Sequence, residues 1–158
     1  MLHMKMKNYF LCLTVALVCL AGCAEAPTQS MPKPTVTDYF QTIGGGFISN
    51  GKSLMYAVDF NIRKPLNGSQ SWFATVEFEN PENSSSPLIQ MNEYKPDQKN
   101  ISINSAELYS IGNHRTYKVN VKAYSDSLRT NLITTHDMFV RFDLPEAMAA
   151  SFGVKILN

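Results

Sequence analysis

Three cysteines, Cys12, Cys19 and Cys23, hold the strongest intrinsic chemistry in this 158-residue chain, and all of them fall before residue 24. A thiol can be a nucleophile, a metal ligand or half of a disulfide. Beyond residue 23 no thiol is left for any of these roles. The other candidates are His114 and His136, which do not stand at metal-ligand spacing, so no metal site is expected. His136 and Asp137 are sequence neighbours; on a strand they face opposite ways and cannot act as a catalytic pair. Both histidines are read as solvated, His114 in a turn and His136 on a strand surface. Serines are abundant, but there is no G-x-S-x-G elbow and no S-x-x-K set on a helix. Gly44-Gly45-Gly46 lacks the G-x-G-x-x-G spacing and a following lysine, so a flexible joint is expected there in place of a phosphate cradle. The expectation is a chain with no catalytic residue, no cofactor and no enzymatic activity.

The cysteines belong to a recognisable segment. Lys5 and Lys7 precede an apolar run of 12 residues, Tyr9 to Leu20, which ends in Ala21-Gly22-Cys23. As a helix the run is about 18 Å long, whereas a bilayer core of about 30 Å needs roughly 20 residues. The layout is that of a secretory signal. Met6-Lys7-Asn8 would serve as a start as well as Met1.

Leu20-Ala21-Gly22-Cys23 resembles the lipobox of bacterial lipoproteins. That resemblance implies that the Cys23 sulfur receives a diacylglycerol, that a signal peptidase then cuts just before Cys23, and that the new amino group is acylated in turn. It covers 23 residues, and an ordinary secretory signal with a chance cysteine is the alternative. Under the lipoprotein reading residues 1–22 are a signal peptide, Cys12 and Cys19 are discarded with it, and Cys23 becomes the membrane anchor. Two or three acyl chains make attachment effectively permanent. In enteric lipoproteins an Asp after the lipidated cysteine marks inner-membrane retention; Ala24 stands there, so the resemblance favours the outer membrane.

Charge excludes other partners. Lys+Arg 14 against Asp+Glu 13 gives a formal charge of +1, without the basic surplus that attracts nucleic acid or acidic membranes, and without an acidic tail. Residues 23–34 contain Pro27, Pro32 and Pro34 and read as a Pro-rich tether. Residues 35–158 read as one domain. Thr35 to Ile43 suits either a short helix or extended chain.

From Phe47 onward the period is two. Leu54, Tyr56, Val58 and Phe60, then Trp72, Ala74, Val76 and Phe78, alternate with polar residues as half-buried strands do. Asn50-Gly51 and Asn67-Gly68 suggest two-residue hairpins, and hence a three-strand meander over 47–79. Further strands are expected at Leu88–Tyr94, Ile101–Ile111, around Tyr117–Ala123 and Met138–Leu144, and at Val154–Leu157. A short helix is expected at Pro145–Gly153. The expected fold is mainly β: an antiparallel, immunoglobulin-like β-sandwich of seven to eight strands with one short C-terminal helix, a barrel being the alternative.

Phe73 and Tyr124 fall in the outward phase of their strands and are the expected surface contact residues. Together these features point to a lipid-anchored envelope protein that binds another envelope protein or helps assemble one. The alternative is a carbohydrate- or peptidoglycan-binding module using Phe73, Tyr124 and Trp72 as platforms. An envelope hydrolase ranks last. Since Val121 is placed inward, Val121→Asp should be recovered unfolded or degraded, and a normal thermal melt for that variant would contradict the assignment.

Overall fold

The computed structural model describes residues 30–145, 148 and 150–157. The signal segment, Cys23 and the first part of the tether lie outside those residues. The compact unit described is Met31–Asn158. Its strands are β1 (Phe40–Ser49), β2 (Leu54–Ile62), β3 (Trp72–Phe78), β4 (Leu88–Tyr94), β5 (Asn100–Asn104), β6 (Ser110–Gly112), β7 (Arg115–Tyr124), β8 (Leu132–Phe142) and β9 (Lys155–Leu157).

Seven of these build two antiparallel sheets, β1-β2-β5 and β4-β3-β7-β8, while β6 and β9 form a small parallel pair. Taking the seven in chain order as A, B, C, C′, E, F and G, the sheets are A-B-E and C′-C-F-G, an immunoglobulin-like sandwich. The alternating residues expected inside are inside: Phe60, Trp72, Val76, Val121 and Phe142 are all buried. Rings bridge the gap between the sheets. Phe40 of β1 meets Trp72 of β3 edge-on at 6.0 Å, and Tyr56 of β2 stacks on Phe78 of β3 at 5.3 Å.

One hydrogen-bonded corner supports this topology. Near the start of β7, the Tyr117 hydroxyl accepts from the Gly112 N–H at 2.8 Å and donates to the Gly112 carbonyl at 3.0 Å, five residues upstream. This is the tyrosine corner of such sandwiches, which closes the turn into the strand. Gly112 is required there, because a Cβ would meet the Arg115 side chain and the Tyr117 hydroxyl.

Several expectations need correction. Residues 47–79 are not a meander, because β3 pairs with β4 and β7 and not with β2. The chain crosses between sheets through an arch at 63–71, so Asn67-Gly68 is no hairpin; the Asn67 amide instead braces the Ser71 and Ser125 carbonyls. The β1–β2 turn spans Asn50–Ser53, with Asn50 Oδ1 accepting from the Lys52 and Ser53 amides and Gly51 at φ +83°. The strand expected over Ile101–Ile111 is split. Ser105 Oγ takes the Tyr56 N–H that a continuing strand would have bonded, and the chain turns away to β6 after Leu108 bridges Leu54.

Gly44, Gly45 and Gly46 are not a joint; they lie within β1. A Cβ on Gly45 would sit 2.7 Å from Met138 Cε and 3.0 Å from Val140 Cγ2, so glycine allows β1 to lie close against β8. The undecided segment Thr35–Ile43 contains no helix: Thr35 N–H donates to the Asp137 carbonyl at 2.8 Å, the chain bends at 38–39, and residues 40–43 belong to β1. Of the expected helix, residues 146, 147 and 149 lie outside the described residues; Met148 is helical and Ala150–Phe152 forms a 3-10 turn, followed by Gly153 at φ +67°.

Tyr117→Phe keeps the ring and removes the corner, leaving the buried Gly112 N–H without its partner. A loss of about 1–3 kcal/mol in unfolding free energy is expected, read by urea denaturation of the domain.

Candidate functional site

The outward side chains of the four-stranded sheet form the surface on which the expected contact residues fall. The register places Phe73 of β3 directly opposite Tyr124 of β7 on one side and Glu93 of β4 on the other. Tyr124 in turn opposes Leu132 of β8, across an irregularity between Ala123 and Tyr124. Phe73 and Tyr124, far apart in the chain, are thus cross-strand neighbours, both half-buried. Side chains directly opposite each other on one face lie close enough to share an apolar surface. Ile89, Met91 and Leu132 extend the apolar strip, at 49%, 59% and 54% exposure. The first two lie on β4, an edge strand.

Trp72 does not join them. It is buried on the opposite side of β3 and stacks on Tyr94 at 4.6 Å, so it is a core residue and no platform. Position parity carries the reason: Trp72 shares the phase of Ala74, Val76 and Phe78.

Beside the apolar strip the same face turns polar. Lys122 pairs with Glu77 at 2.5 Å and Lys118 with Asp137 at 2.8 Å, while Asn120 donates to Asp137 at 2.5 Å. Burial pushes the Asp137 carboxyl up, but Lys118 and Asn120 outweigh it and hold the group below its usual range. An open groove of about 490 Å³ is lined by Glu77, Glu79, Ser84, Pro87, Lys118 and Asn120. The Asn120 Oδ1 is buried there without a hydrogen-bond partner. Its amide nitrogen is committed to Asp137. Sequence reading missed this groove, because Glu79, Ser84 and Lys118 come together only through the register of β3 with β7 and the path of the 79–87 loop.

The histidines divide. His114 is the exposed turn residue expected, at φ +56°, and its Nδ1 meets Asp143 Oδ1 at 2.5 Å. Arg141 holds the other Asp143 oxygen at 3.0 Å, and Arg141 first, then His114, draws the Asp143 carboxyl below its usual range. No hydroxyl or thiol among the described residues hydrogen-bonds to His114, so the pair has no nucleophile to activate. His136 corrects the expectation. It is buried, with Nε2 2.7 Å from Thr42 Oγ1, Nδ1 unpartnered, and the rings of Phe40 and Phe60 at 5.8 and 5.6 Å. Its place in the inward phase with Met138 and Val140 is the signal that sequence reading overlooked. No group of three or more His, Cys, Asp or Glu among the described residues could hold a metal ion.

No family model matches this chain, and no curated protein matches it. Among solved structures, a beta-glucuronidase of Bacteroides uniformis is similar at 12% identity, over 71% of this chain and 15% of that one, with a TM-score of 0.40. The chain therefore spans about 15% of the length of that structure. A likeness this slight carries no argument about fold or activity.

Burial lowers the His136 pKa below its ordinary 6.5, with Asp137 opposing only in part. The unfolded chain therefore binds that proton more tightly than the fold does. Stability is fully present above about pH 6.5 and declines as pH falls from there toward the lower folded-state pKa. His136→Gln should flatten the stability profile between about pH 6.5 and pH 4.5, above the main carboxylate range, as followed by urea midpoints at each pH.

Proposed function

We propose that this chain is a lipid-anchored lipoprotein of the bacterial cell envelope, held through Cys23 in the outer membrane rather than the inner. Its sandwich is a non-catalytic module that binds another envelope protein or helps assemble a larger envelope structure. For the anchor the support is Leu20-Ala21-Gly22-Cys23 at the end of a short apolar run preceded by lysines. No helix among the described residues is long and apolar enough to cross a membrane.

For the binding role one observation carries the reading: the strip of Phe73, Tyr124, Met91, Ile89 and Leu132 across the outer face of the four-stranded sheet. An apolar strip bordered by paired charges has the composition of a docking patch, with rings at its middle and a polar rim. A carbohydrate or peptidoglycan ligand is the second reading. The groove beside Glu77 and Glu79 favours it, since the carboxylates that line it are acceptors for sugar hydroxyls.

Two measurements test these readings. Cys23→Ser should abolish lipid labelling and leave the protein in the aqueous phase on detergent partitioning; unchanged processing and partitioning would refute the anchor. A pull-down from gently solubilised membranes should return one stoichiometric partner, and Phe73→Ala should weaken that capture by about tenfold or more, as loss of a central interface ring does. Retention on purified peptidoglycan that survives Phe73→Ala but is lost in Asn120→Ala would move the site to the groove and favour the second reading.

A further inference from the structure

Among the described residues the two antiparallel sheets end in four edge strands, β1, β5, β8 and β4, and the first three are closed or blunted. β1 lies close against β8 at Gly45, and the Asp137 N–H and carbonyl of β8 are both taken by Thr35. On β5 only five residues are extended, and the Asn100 carbonyl accepts from the Gln98 side chain at 3.3 Å. β4 has none of these devices. It pairs with β3 over seven residues without a register shift, and neither proline nor lysine falls within it.

Hydrogen-bond phase shows what this edge offers. The Glu79 N–H donates to the Lys118 carbonyl of β7 at 2.9 Å, so odd positions on this side of the sheet bond from β3 to β7 and even ones bond from β3 to β4. By the register of β4 on β3, the N–H and C=O groups of Ile89, Met91 and Glu93 then point away from the sheet. No side chain or loop among the described residues takes them up. A row of this kind is a template for an added strand, which gains main-chain hydrogen bonds along its length.

We propose that β4 pairs antiparallel with β4 of a second copy of this chain, across a two-fold axis at Met91, joining two four-stranded sheets into one of eight. The strand is complementary to itself in this register. Leu88 to Tyr94 overlap along their whole length, so that Met91 faces Met91, Leu88 faces Tyr94 and Gln90 faces Asn92 of the other copy. The last two pairs, whose backbone groups are turned to β3, are the closely spaced ones, and amide side chains suit such a place because each donates and accepts. Glu93 faces Ile89 and not its own counterpart, which keeps like charges from being opposed. The contact also closes on itself. Each chain has one open edge, an isologous pair consumes both, and no strand is left to recruit a third copy. The pairing needs neither the lipid anchor nor contact through Phe73, and it leaves the outer face of the sheet uncovered.

The test uses the full-length chain purified in mild detergent, in which analytical ultracentrifugation should find a dimer. Met91→Lys sets two ammonium groups together at the axis and should raise the dissociation constant on the order of tenfold or more, as should Met91→Glu, with the thermal melt of each variant unchanged. Mixing the two variants should restore the dimer, because opposite charges then meet. Oxidation reads the register. Met91→Cys should cross-link to its own counterpart, with Cα atoms about 5.5 Å apart, above the background of the chain without the added thiol. Glu93→Cys should not, since its two copies stand about 14 Å apart along the strands. A monomer at every dilution, or a dimer that Met91→Lys leaves intact, overturns the proposal and leaves partner capture through Phe73 standing. Cross-linking of Glu93→Cys with Met91→Cys silent overturns this register and the pairing built on it. A Met91→Cys cross-link to a different protein, with none to a second copy, gives the edge to another strand and overturns self-pairing.

Discussion

The sandwich depends on rings that span the space between its sheets. No cysteine lies beyond residue 23, so no covalent link can join β1-β2-β5 to β4-β3-β7-β8. Contacts between Phe40 and Trp72, and between Tyr56 and Phe78, hold the sheets together by apolar burial. They also set phase. With Tyr56 and Phe78 inward, strict alternation forces Phe73, Thr75 and Glu77 outward on β3, and cross-strand pairing then aligns Tyr124, Lys122 and Asn120 beside them. The make-up of the outer face is therefore a by-product of core packing: a slip of one residue in β3 would bury Glu77 and expose Trp72.

Polar anchors finish what the rings begin. The Tyr56 hydroxyl reaches through the core to the Glu79 carbonyl at 2.8 Å, and Tyr117 closes the corner at Gly112. Burial raises the pKa of both phenols, so each remains a neutral donor. At the β1–β8 seam the tolerance is narrower. Gly45 brings the edges together, Thr42 and His136 share a hydrogen bond across them, and Thr35 pairs with Asp137. A buried imidazole with one unpartnered nitrogen is costly, and protonating it as pH falls weakens this seam.

Alternation makes the faces legible in the sequence alone. Val121 and Phe142 fall inside, Phe73 and Tyr124 outside, and the loop at 125–131 joins the strands expected of it. What alternation cannot express is which strands pair. Period two is the same whether β3 lies beside β2 or across from it, so a meander and a sandwich crossing look alike at 47–79. The glycines of β1 mislead for a related reason: their use is to admit Met138 and Val140, residues more than ninety positions away. His136 is readable from parity with Met138, but its polar side chain draws the assignment to the surface. The groove is not readable at all, since no local pattern joins Ser84 to Lys118.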